Sequence, residues 1–375
     1  MKKVLYILAL TTLVSSVQAE TLSDTGSVRF YGVLDQSVYA VNDGTGTQSG
    51  IGSLSNQTTR LGILGEDRLN GGWKSGFQLE TQLAMNSGAV GSSGTGAPQT
   101  TTGTSEVFNR AANMYIGNAE SGEFRLGRMA TPIASNYSRF DALQINSLGL
   151  VSYYNAGLVN SGTNKITGIN GNNAIQGTNS AQTEIGFFAN GVQYTSPKVY
   201  NTTMTFFTSP GNNNTNALRE MNGVYDQGPL QLGAGFGQAA DTSGNYVFNR
   251  SLLGAAYQLG QWRLSVSQIG LTYQNSTLGH NTLIRQVGAK YSVNDRWTVG
   301  TEYTTAQDTV STNNSSRTLG VATEYALSKR TSVYGIAGRT VNSGNSAIGP
   351  IYSTSATLVS GRDVNGIATG IKYSF

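Results

Sequence analysis

In the segment Gly366–Phe375, alternate residues belong to two different surfaces. Ile367, Thr369, Ile371, Tyr373 and Phe375 fall on one side, and Ala368, Gly370, Lys372 and Ser374 on the other. Successive side chains of a β-strand point to opposite faces, so strict alternation predicts a strand. The pattern recurs from Ser27 onward. Val28, Phe30, Leu34 and Val38 oppose Arg29, Asp35 and Ser37, and Trp73, Phe77, Leu79 and Leu83 oppose Lys74, Gln78, Glu80 and Gln82. Strands are predicted over 27–41, 57–67, 72–86, 107–118, 122–130, 188–195, 199–208, 217–225, 230–238, 246–258, 262–273, 282–293, 297–307, 317–327, 331–341 and 366–375, sixteen in all. Residues 42–56 and 87–106 are dominated by small and polar types and read as loops. The longest irregular stretch, 131–187, exceeds an ordinary connection, which points to a role of its own.

Turns of a few residues alternate with connections that are mostly longer. An even number of strands with that asymmetry predicts an all-β fold, a sixteen-stranded antiparallel transmembrane β-barrel with short periplasmic turns and longer external loops. Lipid offers no partner to backbone N–H and C=O groups, so such a sheet must close on itself. Aromatics gather near the short turns on the apolar face: Tyr194, Tyr200, Tyr225, Tyr257, Trp262, Tyr291, Trp297 and Tyr325. With Phe375 they predict a girdle at headgroup level. The opposite face carries Gly254, Ala256, Gly288, Lys290, Gly300, Glu302, Gly320 and Glu324, small or polar throughout. That face predicts a water-filled bore, since sixteen strands enclose a space too wide for side chains to fill. A soluble sandwich would need a second apolar layer instead.

Composition agrees with many strands and polar loops. Among 375 residues there are 48 Gly and only 6 Pro, and charged residues make up 12% against a usual figure of about 25%. Residues 1–19 read as a secretory leader, with basic Lys2 and Lys3, an apolar run from Val4 to Val14, and the small-residue site Val17-Gln18-Ala19. The mature barrel is then expected over 20–375, exported to the outer membrane. The chain has no cysteine, so no disulfide framework is available. Without Lys2 and Lys3 the net charge is about +2, too balanced to argue for nucleic acid as a partner. The single histidine, His280, falls in a predicted external loop and offers little to a hydrolase, which needs a nucleophile with a base in reach. No metal or cofactor motif is present: there is no Cys-His ligand set, and the Gly-rich runs lack a strand-to-helix setting.

Several words recur in order along the chain: Arg29-Phe-Tyr-Gly-Val-Leu-Asp35, Thr59-Arg-Leu-Gly-Ile-Leu-Gly-Glu-Asp67, Phe77-Gln-Leu-Glu80, Phe108-Asn-Arg110, Leu126-Gly-Arg128, Val192-Gln-Tyr-Thr-Ser-Pro197, Tyr325-Ala-Leu-Ser-Lys-Arg-Thr331 and Tyr373-Ser-Phe375. In these the sequence resembles the trimeric general porins of Gram-negative outer membranes, in the Neisseria and Burkholderia branch. The resemblance implies a homotrimer of barrels in outer-membrane lipid, each passing small hydrophilic solutes and ions without catalysis. It implies a constriction loop after the fifth strand, within 131–187. It also implies that Tyr373 and Phe375 address the barrel-assembly machinery. Arg60 and Arg128 match family wall positions at the constriction, Asp141 is the candidate loop acid, and Lys74 and Glu80 are expected on the pore wall. Opposed charges there would set up a transverse field that sorts solutes. Two departures stand out. Phe187 and Gln193 occupy places where the family often has arginine, and Arg128 and Arg125 cannot both obey strict alternation. A substrate-specific channel of the same fold, or an outer-membrane hydrolase, is the alternative reading.

Overall fold

The computed structural model describes residues 26–90, 107–148, 186–210, 217–240, 245–273, 281–309, 313–351 and 356–375. The leader, His280 and most of 149–187 lie outside the described residues. The barrel strands are β1 (Ser27–Asn42), β2 (Thr47–Ser53 continued by Arg60–Arg68), β3 (Lys74–Ala84), β4 (Ala111–Asn118), β5 (Gly122–Ala130), β6 (Phe187–Thr195), β7 (Thr202–Ser209) and β8 (Leu218–Gln227). They continue as β9 (Leu230–Ala240), β10 (Tyr246–Leu259), β11 (Trp262–Tyr273), β12 (Thr282–Ser292), β13 (Trp297–Asp308), β14 (Ser315–Ala326), β15 (Thr331–Ser343) and β16 (Val364–Ser374). The two runs of β2 pair with successive halves of β1 and count as one strand, and a two-residue run, Ala89–Val90, merely folds back on the end of β3. Each strand is antiparallel to its neighbours, and β1 pairs with β16 from Val33–Ser374 to Asn42–Asn365, closing a sixteen-stranded barrel.

Alternation resolves into outside and inside as the residues require. On β1, Phe30 is 73% exposed and Val38 59%, while Asp35 and Ser37, on the other side, are 0% and 2% exposed. The apolar residues face outward because lipid takes the place of a second layer. No helix of the described residues is long and apolar enough to cross a membrane. At the short-turn end Tyr257, Trp262, Trp297, Tyr325 and Phe375 are exposed on the outer wall, and the rings of Trp262 and Tyr291 lie 4.7 Å apart.

Closure is completed by the last residue. Phe375 exchanges both backbone hydrogen bonds with Gly32, each 3.1 Å, and its ring covers that glycine. A Cβ at position 32 would stand 2.7 Å from the ring, so only glycine fits.

One expectation is corrected. Residues 42–56 are not a loop: Thr47–Ser53 is a strand on the upper half of β1, and Tyr39 covers Gly50 there. Small residues weaken the intrinsic strand signal, but pairing and cross-strand packing override propensity. The chain then leaves the wall at Leu54, whose φ is 74°, and rejoins it at Arg60. Asp35 holds this excursion. Its carboxylate accepts from the backbone N–H of Asn56 (2.7 Å) and Gln57 (2.8 Å) and from the Tyr334 hydroxyl (2.5 Å).

Candidate functional site

After β5 the chain turns into the barrel instead of outward. Pro132–Asn136 forms one helical turn, α1, with proline early in the helix, where its missing N–H has no intrahelical role. A 3₁₀ turn, Tyr137–Phe140, follows. The segment through Leu148 then lies along the inner wall. A buried ion pair fixes its start: Arg250 Nε meets Glu220 Oε1 at 2.7 Å, and Arg250 also donates to the Thr131 hydroxyl at 3.1 Å.

The wall accepts the segment because it is paved with glycine. Gly233 and Gly254 face each other across β9 and β10, and a Cβ on either would stand 2.2 Å from the Phe140 ring. Gly288 lies under Ala142, Gly300 under Leu143, and Gly320 and Gly338 under Leu148. Phe140, Ile133 and Leu148 are accordingly buried to within 1%. At the far end Asn146 and Ser147 donate their backbone N–H groups to Asn56 (2.9 Å) and Ser55 (3.1 Å), on the excursion that Asp35 secures. The segment is thus held at both ends and along its length.

An open space lies between this segment and the wall of β2 to β4. It is a polar space of about 560 Å³, lined by Arg60, Gln78, Glu80 and Arg110 on the wall and by Tyr137 and Gln144 on the segment, among others. Glu80 is the hub of the wall side. Arg110 Nε reaches its Oε1 at 2.6 Å, the Tyr31 hydroxyl donates to Oε2 at 2.8 Å, and Arg60 Nε stands 3.7 Å away. Gln78 donates to the Tyr31 oxygen at 2.7 Å, and Arg60 donates to the Thr58 carbonyl at 2.9 Å. Two guanidiniums therefore share one carboxylate, and the cluster carries a net positive charge.

The structure brings together some expected residues and separates others. Arg60 and Glu80 line the space. Lys74 sits at the short-turn end, 3.6 Å from Glu66 and over the Tyr115 ring. Arg128 lies in register with Ala112, on the side of the sheet that carries Met114, and donates to the Asn109 carbonyl. The lumen side is taken by Arg125, which bonds Asn113 at 2.8 Å and pairs with Glu123 at 2.8 Å. These are the opposite sides that strict alternation gives positions 125 and 128; Gly127, at φ 124°, marks a shift of register against β6 before Met129. Asp141 departs furthest from expectation. It is fully buried, accepts from the Gln144 backbone N–H at 2.6 Å, and interacts with Glu302 of the far wall rather than with Arg60. Glu302 in turn accepts from the Leu143 N–H at 2.8 Å, so this acid and its neighbour serve to hold the segment down.

Arg110 stands in the word Phe108-Asn-Arg110, yet nothing in the local pattern marks its role, and the same holds for Asp35. Arg110 acts on a residue 30 positions away, and Asp35 meets Tyr334 nearly 300 positions away, separations that periodicity does not carry. Among the described residues no group of three or more His, Cys, Asp or Glu is placed to hold a metal.

A family model described as Gram-negative porin matches residues 6–345. Outer membrane porin protein 32 of Delftia acidovorans is 26% identical over 387 aligned residues, covering 100% of both chains. Among solved structures, the anion-selective porin from Comamonas acidovorans superposes with a TM-score of 0.74 at 20% identity, over 93% of this chain and 100% of that one. OmpT of Vibrio cholerae, in its in-vitro folded trimer form, gives a TM-score of 0.62 at 16% identity, over 94% and 100%.

Proposed function

The chain belongs to the Gram-negative porin family, and from that premise we propose that the space between Arg60, Arg110 and the segment Thr131–Leu148 is the constriction of its pore. The protein is an outer-membrane general diffusion porin, a passive channel for small hydrophilic solutes and ions and not an enzyme. The barrel supplies the path; the inner segment sets its width; the charges at the narrowing set its preference.

The observation that carries the reading is the imbalance at that narrowing. Arg60 and Arg110 face the opening with Glu80 alone between them, while the nearest acid of the segment, Asp141, is buried against Glu302. The segment presents Tyr137, Gln144 and Asn146 instead, which are neutral. A ring with net positive charge favours anions over cations of the same size, and the field is strongest where the path is narrowest. The selectivity proposed is therefore a preference for small anions. It is moderate, because Glu80 cancels part of the charge. The Comamonas relative is an anion-selective porin, which supports the same sign. We also propose a homotrimer, by analogy with the trimer form of the Vibrio relative, and that residues 1–19 are removed on export.

Planar-bilayer recording tests the proposal. Wild-type protein is expected to conduct in groups of three steps, with a reversal potential in a salt gradient that reports anion preference. Arg60→Glu and Arg110→Glu are each expected to move it toward cation preference, and the double variant further. A reversal potential indifferent to both changes overturns the assignment of the constriction.

A further inference from the structure

Glu80, which draws Arg60 and Arg110 together, is also reached from β1. Tyr31, Gly62 and Glu80 stand in one row across β1, β2 and β3, each paired with the next. Residues paired in this way share a face of the sheet, and for this row it is the bore side, away from the exposed Phe30. Tyr31 starts two strands from Glu80, about 10 Å at the backbone. Its ring crosses the place left empty at Gly62, where a Cβ would collide with it. The hydroxyl thereby reaches Glu80 Oε2 at 2.8 Å.

The direction of that hydrogen bond is fixed from below. A guanidinium can only donate, so the contact from Arg125 Nη1, at 3.3 Å, turns the Gln78 amide oxygen toward it. The Gln78 Nε2 then faces the Tyr31 oxygen and donates to it at 2.7 Å. Having received that hydrogen, the Tyr31 hydroxyl directs its own at Glu80.

Arg60 competes for the same carboxylate oxygen. It is the diagonal neighbour of Glu80 across β2 and β3, a spacing that long side chains bridge. Yet its Nε stays 3.7 Å from Oε2, outside hydrogen-bond range, and the guanidinium donates to the Thr58 carbonyl at 2.9 Å instead. The Arg60 side chain is 26% exposed against 9% for Glu80, so the cation is the more open of the two toward the path. Arg110 holds Oε1 at 2.6 Å, and Tyr31 holds Oε2. With a close donor on each oxygen, Glu80 is satisfied without Arg60. If the Tyr31 hydroxyl is lost, a largely buried acceptor lacks its close donor, which is costly, and a small shift of Arg60 supplies another.

We propose that Tyr31 determines the selectivity of the pore by position. Its hydroxyl occupies Glu80 Oε2, keeps Arg60 from closing into a full ion pair, and leaves that guanidinium turned to the passing anion. Tyr31 is a positioning residue, acting through Glu80 and Arg60 from behind the side chains that line the opening. The proposal rests on the constriction assigned above.

Planar-bilayer recording of the full-length protein across a KCl gradient reads the ratio of chloride to potassium permeability. Tyr31→Phe keeps the ring over Gly62 and removes only the hydroxyl. It is expected to lower the ratio about twofold, the scale of one partly exposed ion pair. In Arg60→Gln and Glu80→Gln backgrounds the same change is expected to leave the ratio where the background sets it, since no Arg60–Glu80 ion pair can then form. Wild-type selectivity in Tyr31→Phe, while Arg60→Glu still moves the reversal potential, overturns this inference and leaves the constriction standing. A Tyr31→Phe shift of equal size in wild type and in both backgrounds overturns it too, because Tyr31 would then act on the fold and not through Arg60. A silent Arg60→Glu would mean that the constriction lies elsewhere, and the inference would fall with it.

Discussion

Gly254 shows how much one missing side chain decides. Its pairing partner Gly233 and the neighbouring small positions form a lane on the inner wall, and Phe140 lies in it. Gly254→Leu is expected to unseat Phe140 at a cost of about 1 to 3 kcal/mol, as overpacking does. Noisier and larger single-channel currents, with a lower unfolding temperature, would register the loosened segment. The alternation of small residues on this face is legible in the sequence and predicts a wall wetted by water. Much of it is covered by chain, because period-two patterning reports which side a residue faces and not what meets it. The Arg250–Glu220 pair makes the same point in charged form. Arg250→Ala leaves Glu220 buried without a cation, and breaking such a pair costs about 3 to 5 kcal/mol. The double change Glu220→Gln/Arg250→Met is expected to recover most of that loss in urea unfolding of the barrel. An equal loss in both variants would show that the charges do not anchor Thr131.

At the scale of elements, three pieces act in series. Asp35 on β1 fixes the excursion that interrupts β2; the excursion receives Asn146 and Ser147; and that contact holds the far end of the segment narrowing the bore. Asp35→Ala is therefore expected to alter conductance from a position that does not line the opening, whereas Arg60→Ala alters selectivity more than conductance. The external loops show a comparable device. The Asp43 carboxylate accepts from the Thr45 hydroxyl at 2.6 Å, from the Thr45 N–H at 3.0 Å, and from the Val359 N–H at 3.1 Å. These bonds, the Thr45 hydroxyl foremost, hold the carboxyl below the usual aspartate value. A depressed folded-state value means that the contribution to stability is present above the unfolded value and lost as pH falls through the folded one. Faster amide exchange around Val359 below about pH 4 is expected in wild type, where the unfolded value lies. Asp43→Asn should exchange fast at every pH.

For the whole molecule, closure is the decisive event, and it brings Gly32 and Phe375 together from the two ends of the barrel sequence. Deleting Phe375 removes two backbone hydrogen bonds and the ring that seals Gly32. Refolding into detergent is expected to slow and to yield less heat-resistant barrel, as seen by the gel shift between folded and unfolded forms. Gly32→Val should act alike through steric conflict; normal yields from both variants would remove the seam from the account of stability. An open sheet has no tolerable edge in lipid, so a weak seam endangers the entire structure.

Strand number, the outward face and the asymmetry of turns and loops were written in the sequence, because each depends on residues two apart or on a turn a few residues long. The family words pointed to the constriction proposed above, and to Arg60 in it. The partners of the charged residues were not legible. Arg110 meeting Glu80 and Asp141 turning to Glu302 follow from closing the sheet and folding a segment inside it. A cylinder places residues from distant strands opposite one another, and that juxtaposition exists only after the first and last strands have paired.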